Sequence, residues 1–140
     1  MKEIQKLRND IRLLFNGKKN VNTTPSAFMV VCSDEITALE VNTNTRTFSS
    51  PFNFKLESVE ISLTVPQTGG TVLTVDVFKN EVSILTTKVT ITNGEYDSST
   101  SIKPIINFPF FEKNDKIRIA ITQVGDGTAM GLKTNLIGKI

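Results

Sequence analysis

The 140-residue chain has no histidine and no tryptophan, and only one tyrosine and one cysteine. Without histidine it lacks the usual general base near neutral pH, the Ser-His and Cys-His nucleophile pairs and the commonest zinc ligand. Cys32 has no partner within the chain, so stability must come from packing and not from crosslinks. It sits in the apolar run Phe28-Met29-Val30-Val31-Cys32, where a thiol acts as a small buried hydrophobe. No segment reaches the roughly 18 consecutive apolar residues of a spanning helix, so no membrane partner is expected. The N-terminus lacks the apolar run of a secretory signal, so export by the Sec route is not expected. Gly69-Gly70 runs into Thr71-Val72-Leu73, a strand and not a helix, so no phosphate-binding loop and no nucleotide cofactor are expected.

The carboxylates offer no better chemistry. A glycosidase-like mechanism needs two acidic groups facing each other across one cleft. Glu57 and Glu60, three residues apart, belong to opposite faces of a regular strand, and Asp76 between Val75 and Val77 should point to solvent or to a neighbouring subunit. Asn114-Asp115 and Asp126-Gly127 read as tight turns, because neither carries the dense oxygen ligands of a calcium loop. Phe52, Phe54 and the run Phe108-Pro109-Phe110-Phe111 read as core rings and not as a nucleic-acid stacking platform. Exposure of that run would mark a subunit interface. No catalytic, cofactor-binding or metal-binding residue is predicted, and the chain reads as a non-enzyme without nucleic-acid or membrane partners.

What remains is architecture. The length suits one domain, and 39% hydrophobic with 21% charged residues suits a globular core. Ile4, Leu7, Ile11 and Leu14, followed by Phe15, form a narrow apolar stripe at helical spacing, and Asn16-Gly17 supplies a stop. Residues 1–17 are therefore expected to be an amphipathic helix for oligomerisation or docking, and 18–26 a polar linker. About four turns are unstable alone, so the stripe must bury against its own body, sister copies or a partner groove. Residues 1–19 carry six basic and two acidic groups, a charge of +4, which leaves −2 for the rest of a +2 chain. Lys18 and Lys19 thus become possible contacts to an acidic platform, or simply solvated flanks.

From residue 27 the hydrophobic period switches to two. Val59, Ile61, Leu63 and Val65 alternate with polar residues, as do Leu73, Val75, Val77 and Ile117, Ile119, Ile121. Further strands are expected at 27–32, 36–41, 46–48, 82–86, 88–92, 102–108 and 133–137. Turn signals stand at 67–70, 79–81, 93–94, 114–115 and 126–127. Many short strands without helical interludes predict an all-β fold: an antiparallel jelly-roll-like β-sandwich over 27–140, preceded by the short N-terminal helix.

The order Pro66-Gln67-Thr68-Gly69, Leu73-Thr74-Val75-Asp76-Val77, Lys79-Asn80, Ser83-Ile84-Leu85, Asp115-Lys116-Ile117-Arg118-Ile119, Gln123-Val124-Gly125, Gly131-Leu132 and Leu136-Ile137-Gly138 resembles a β-sandwich module of tailed-bacteriophage virion structural proteins. It departs at Glu81, where that module has glycine; a two-residue hairpin would force Glu81 to positive φ, so a longer or bulged turn is expected. The resemblance implies a virion surface protein made in the host cytoplasm. It further implies a capsid decoration or head-fibre component, often trimeric, that contacts other virion proteins such as the major capsid protein. A receptor- or carbohydrate-binding module of a tail fibre is the alternative, weakened by the single tyrosine, Tyr96.

Overall fold

The period-two segments form an all-β, antiparallel structure. A computed structural model describes residues 23–140; the expected helix, with Ile4, Leu7, Ile11, Leu14, Phe15, Lys18 and Lys19, lies outside the described residues. The strands are β1 (Pro25–Val31), β2 (Asn42–Ser49), β3 (Phe54–Ser62), β4 (Leu73–Lys79), β5 (Val82–Ser83), β6 (Leu85–Thr87), β7 (Val89–Ile91), β8 (Ile105–Ile106), β9 (Phe110–Phe111), β10 (Lys116–Gln123) and β11 (Lys133–Lys139). A 3-10 turn, Ser98–Thr100, lies between β7 and β8.

One sheet has the order β1-β11-β3-β9, the other β2-β10-β4-β5; β7 also pairs with β4, and β6 with β8. The sheets face each other across one core. Leu56, Val59, Ile61 and Leu136 come from the first, and Leu73, Val75, Val77, Ile117, Ile119 and Ile121 from the second. At one lateral edge the sheets are stitched by Phe28 and Phe48, whose ring centroids lie 6.0 Å apart, and by Arg46 Nε donating to the Val31 carbonyl at 2.9 Å. At the other edge Lys79 Nζ donates to the Phe110 carbonyl at 2.8 Å.

The sandwich has two distinct ends, marked by the termini of β10. At the Lys116 end stand the β4–β5 hairpin and the 112–115 turn, joined because Asn80 Nδ2 donates to Asp115 Oδ1 at 3.0 Å. At the Gln123 end the loops before β4, after β7 and after β10 converge on Gln67, which is 1% exposed. Its amide donates to the Thr71 carbonyl (2.7 Å) and to Asn93 Oδ1 (2.6 Å), while its oxygen accepts from Gly125 N–H (2.6 Å). A buried amide is tolerated here because its hydrogen-bonding capacity is used. Gly125 is required by the same contact: a Cβ would lie 2.3 Å from the Gly69 carbonyl oxygen.

Several expectations fail for identifiable reasons. Residues 36–41 form a loop and not a strand, since the Asp34 carboxylate captures the backbone N–H groups of Ile36 (2.9 Å) and Thr37 (2.7 Å). The segments 82–86 and 102–108 contain only short strands, because β6 leaves β4 to pair with β8. Val65 stands beyond the end of β3 and is 37% exposed. Asp76 is not at the surface. It is 2% exposed and accepts from Ser83 Oγ at 2.9 Å on both oxygens and from Val77 N–H at 2.8 Å, with Lys88 Nζ at 3.8 Å. The β4–β5 turn is neither long nor bulged: Lys79 pairs with Val82, and Asn80 and Glu81 take φ of 47° and 70°. The strand twist favours this tight turn, at the cost of a left-handed glutamate.

Candidate functional site

The outer face of the first sheet brings together two carboxylates that strand alternation would separate. In β3, Leu56 pairs with Gly138 and Ser58 with Ile137, so Glu57 is the extra residue of a bulge and the alternation resets after it. Glu57 and Glu60 therefore line one cleft of about 410 Å³ with Ser98, Ser99 and Lys103. Gly138 makes the close approach possible, since a Cβ there would sit 1.9 Å from the Lys55 carbonyl oxygen. Both glutamates are exposed, and Glu57 pairs with Lys139 at 3.5 Å. An acid-base pair needs one carboxyl set apart from the other by its surroundings. Nothing encloses either group here.

A second feature is apolar. The expected core run divides: Phe111 is 2% exposed, while Phe108 and Phe110 are 50% and 58% exposed. β9 is two residues long, so Phe110 and Phe111 point to opposite faces, and only Phe111 reaches the core. Phe108 joins Val82, Ile84, Lys79 and Asn80 around a cleft of about 270 Å³ at the Lys116 end. Lys79, which lines it, holds Nζ 5.7 Å from the Phe111 centroid, and where β3 pairs with β9, Lys55 Nζ is 5.8 Å from the Phe110 centroid. This is the exposed aromatic patch that the sequence named as the mark of an interface.

The third feature lies at the Gln123 end. The loop after β1 is held by Asp34, whose second oxygen also accepts from Thr37 Oγ1 at 2.8 Å, and by Glu35, bonded to Lys133 Nζ and Thr64 Oγ1. Lys133 in turn donates to Thr64 Oγ1 at 2.9 Å. The Thr37 hydroxyl, with the Ile36 and Thr37 amides, holds Asp34 below the ordinary carboxylate range; the Lys133 ammonium and Thr64 hydroxyl do the same for Glu35. At the apex of this braced, anionic loop stands Ile36, 83% exposed. Cys32 at its base is buried, and burial pushes the thiol pKa up.

Among the described residues no group of three or more His, Cys, Asp or Glu is placed to hold a metal ion, and no helix is long and apolar enough to cross a membrane. Sequence reasoning found the aromatic run. It missed Ile36 as a projecting side chain because Ile36 heads an alternation that reads as a strand, and it missed the Glu57–Glu60 cleft because a bulge leaves no period of its own.

The fold defines a class, the two-sheet antiparallel sandwich. No family model matches the chain, and no curated protein is similar to it in sequence. In structure it is similar to a chain of the cyanophage Pam1 capsid asymmetric unit, with 15% identity, a TM-score of 0.50 and coverage of 86% of both chains. It is also similar to the Drosophila NLP core, whose structure bears on pentamer formation and histone binding (14% identity, TM-score 0.43, 83% of this chain and 97% of that one). A third likeness is to the infectious bursal disease virus Gx strain (12% identity, TM-score 0.41), where 85% of this chain corresponds to 32% of the other.

Proposed function

We propose that the chain is a structural component of a virus particle, and more narrowly a surface protein of a bacteriophage virion of the capsid-decoration or head-fibre kind. The observation that carries this reading is the likeness to the cyanophage capsid chain over 86% of both molecules. The strand orders support it. If β5 and β7 count as one interrupted strand beside β4, the sheets β1-β11-β3-β9 and β2-β10-β4-β5 have the wiring of an eight-stranded jelly roll. That fold is common in capsids and serves many functions, so the surface has to supply the rest.

That surface favours contact over chemistry. Exposed Phe108, Phe110 and Val82 form an apolar edge, and the cleft that carries Glu57 and Glu60 leaves both in solvent. The protein acts without catalysis or a cofactor, as a homo-oligomer attached to other virion proteins. The N-terminal segment, with its stripe Ile4, Leu7, Ile11 and Leu14 and the cations Lys18 and Lys19, is the tether. Antibody raised against the full chain should decorate purified particles in electron micrographs, and mass spectrometry should detect the chain at a fixed ratio to the capsid protein. Its absence from washed particles would end this reading.

A further inference from the structure

Ile36 and the Phe108 cleft occupy opposite ends of the sandwich. β10 pairs with Asn42, which follows the Ile36 loop, near its Gln123 end, and with Lys79, which lines the cleft, near its Lys116 end. A strand of this length spans roughly 25 Å, so no copy can place its own Ile36 in its own cleft. One end thus presents an apolar knob and the other an apolar hollow, and their chemistry is complementary.

The knob is preorganised. Asp34 fixes the turn on which Ile36 rides, and Glu35 is fastened to Thr64 and Lys133. The loop needs little further ordering on binding, and such ordering is a main cost of association. Its charges are Asp34, Glu35 and Glu40, set against Lys133 and Arg46, whose guanidinium is taken up by the Val31 carbonyl at 2.9 Å and the Thr45 carbonyl at 2.7 Å. The cation that lines the hollow is Lys79. Two of the acidic groups at that end are engaged: Glu81 pairs with Arg118 at 3.3 Å, and Asp115 accepts from Asn80 and from the Glu112 N–H at 2.8 Å, while Glu112 in the neighbouring turn is exposed and does not line the hollow. Lys79 reaches over the hollow with its amine on a carbonyl and a ring, leaving its charge only partly matched. Two hollows meeting each other would set Lys79 against its own copy, which disfavours a two-fold pairing of the aromatic edges.

We infer that copies of this chain join head to tail, with Ile36 of one seated in the Val82–Ile84–Phe108 cleft of the next and the Asp34–Glu35 loop facing Lys79. The contact is heterologous, so it generates a ring if the rotation closes and a stack if it does not. This rests on the self-association proposed above and specifies which surfaces meet.

The test is cross-linking between two single variants of the full chain. Tagged Ile36→Cys is mixed with untagged Val82→Cys, and a short bismaleimide is added at protein concentrations where the wild type sediments as an oligomer. Buried Cys32 leaves the wild type unreactive as the background control. A tagged–untagged covalent pair is expected at least five-fold above the yield of either variant alone, and Lys79→Glu in the second chain should lower that yield several-fold. A cross-link yield at background in a sedimenting oligomer would overturn the knob-and-hollow contact while leaving self-association standing. Abundant Val82→Cys homodimers would overturn it in favour of paired aromatic edges. A wild-type chain that sediments as a monomer at every concentration would overturn both readings. Circular dichroism melts check each variant, and Phe108→Cys replaces Val82→Cys should the latter fail to fold.

Discussion

Asp76 shows how far burial can reverse the meaning of a residue. Flanked by Val75 and Val77, it reads as a solvent-facing position, yet it lies in a central stretch of β4 where the neighbouring strand breaks between β5 and β7. The break brings Ser83 and Lys88 to it, so a polar group fills a position that an unbroken strand would cover. Replacing it by alanine removes the acceptors of the Ser83 hydroxyl and should cost about 2 kcal/mol. Asp76→Asn, which keeps an acceptor, should cost less; equal melting temperatures for the two variants would show that the hydrogen bonds contribute nothing. Gly125 makes a harsher prediction. A methyl group there meets the Gly69 carbonyl oxygen at 2.3 Å and the Thr71 carbonyl oxygen at 2.6 Å, both backbone atoms that cannot swing aside. Gly125→Ala should therefore destabilise by about 3 kcal/mol or more, read as a lowered urea midpoint at unchanged slope. A wild-type midpoint would mean that the loop cluster at the Gln123 end is looser than the Gln67 hydrogen bonds require.

At the scale of elements, the β4–β5 hairpin is under local strain that one substitution relieves. Glu81 sits at φ 70°, a conformation that costs a side-chain-bearing residue about 1 kcal/mol, while its pair with Arg118, in which the glutamate is exposed and the arginine largely buried, returns part of that. Glu81→Gly should raise the melting temperature by about 2–4 °C; a decrease would show the ion pair to outweigh the strain. The loop after β1 responds to acid. Asp34 and Glu35 have folded pKa values below their ordinary ones because they accept hydrogen bonds, and Asp97, Asp115 and Asp126 are depressed for the same reason. The folded state therefore binds fewer protons than the unfolded chain between the depressed and the ordinary carboxylate values. The stability these groups supply is fully present above the ordinary value and is lost as pH falls through the folded ones. Thermal melts from pH 7 to pH 3 should show a falling melting temperature with a shallower slope in Glu35→Gln. An identical slope would exclude Glu35 from the acid response.

For the whole molecule, the two-sheet architecture was legible because its long strands carry a core face at period two: Val59 and Ile61, Leu73, Val75 and Val77, and Ile117, Ile119 and Ile121 are all buried. The turns were legible too, since Gly70, Asn80, Gly94, Asn114 and Gly127 hold positive φ at the signalled positions. The Glu57 bulge was hidden because it is set by β11, a partner distant in sequence; the capture of Ile36 by Asp34 and the burial of Asp76 beside a broken neighbour are local, but the apolar alternation around each reads as a plain strand. The chain's entry into the sandwich gives the prediction that bears most on function. Thr23 and Thr24 donate to the Ile140 carbonyl at 3.0 Å each, and Ile140 donates back to Thr24 at 2.8 Å. These contacts tie the start of the described body to its end, and the core of the described residues is drawn from strands and loops after Thr24. Deleting residues 1–16 should therefore shift the melting temperature by no more than about 3 °C, the shift of less than 1 kcal/mol in a domain of this size. Attachment to particles should fall sharply in the same variant, because the apolar stripe and half of the basic excess at that end are gone. Binding of the truncated chain to particles at full occupancy would assign attachment to the sandwich itself, and the tether would have no role in it.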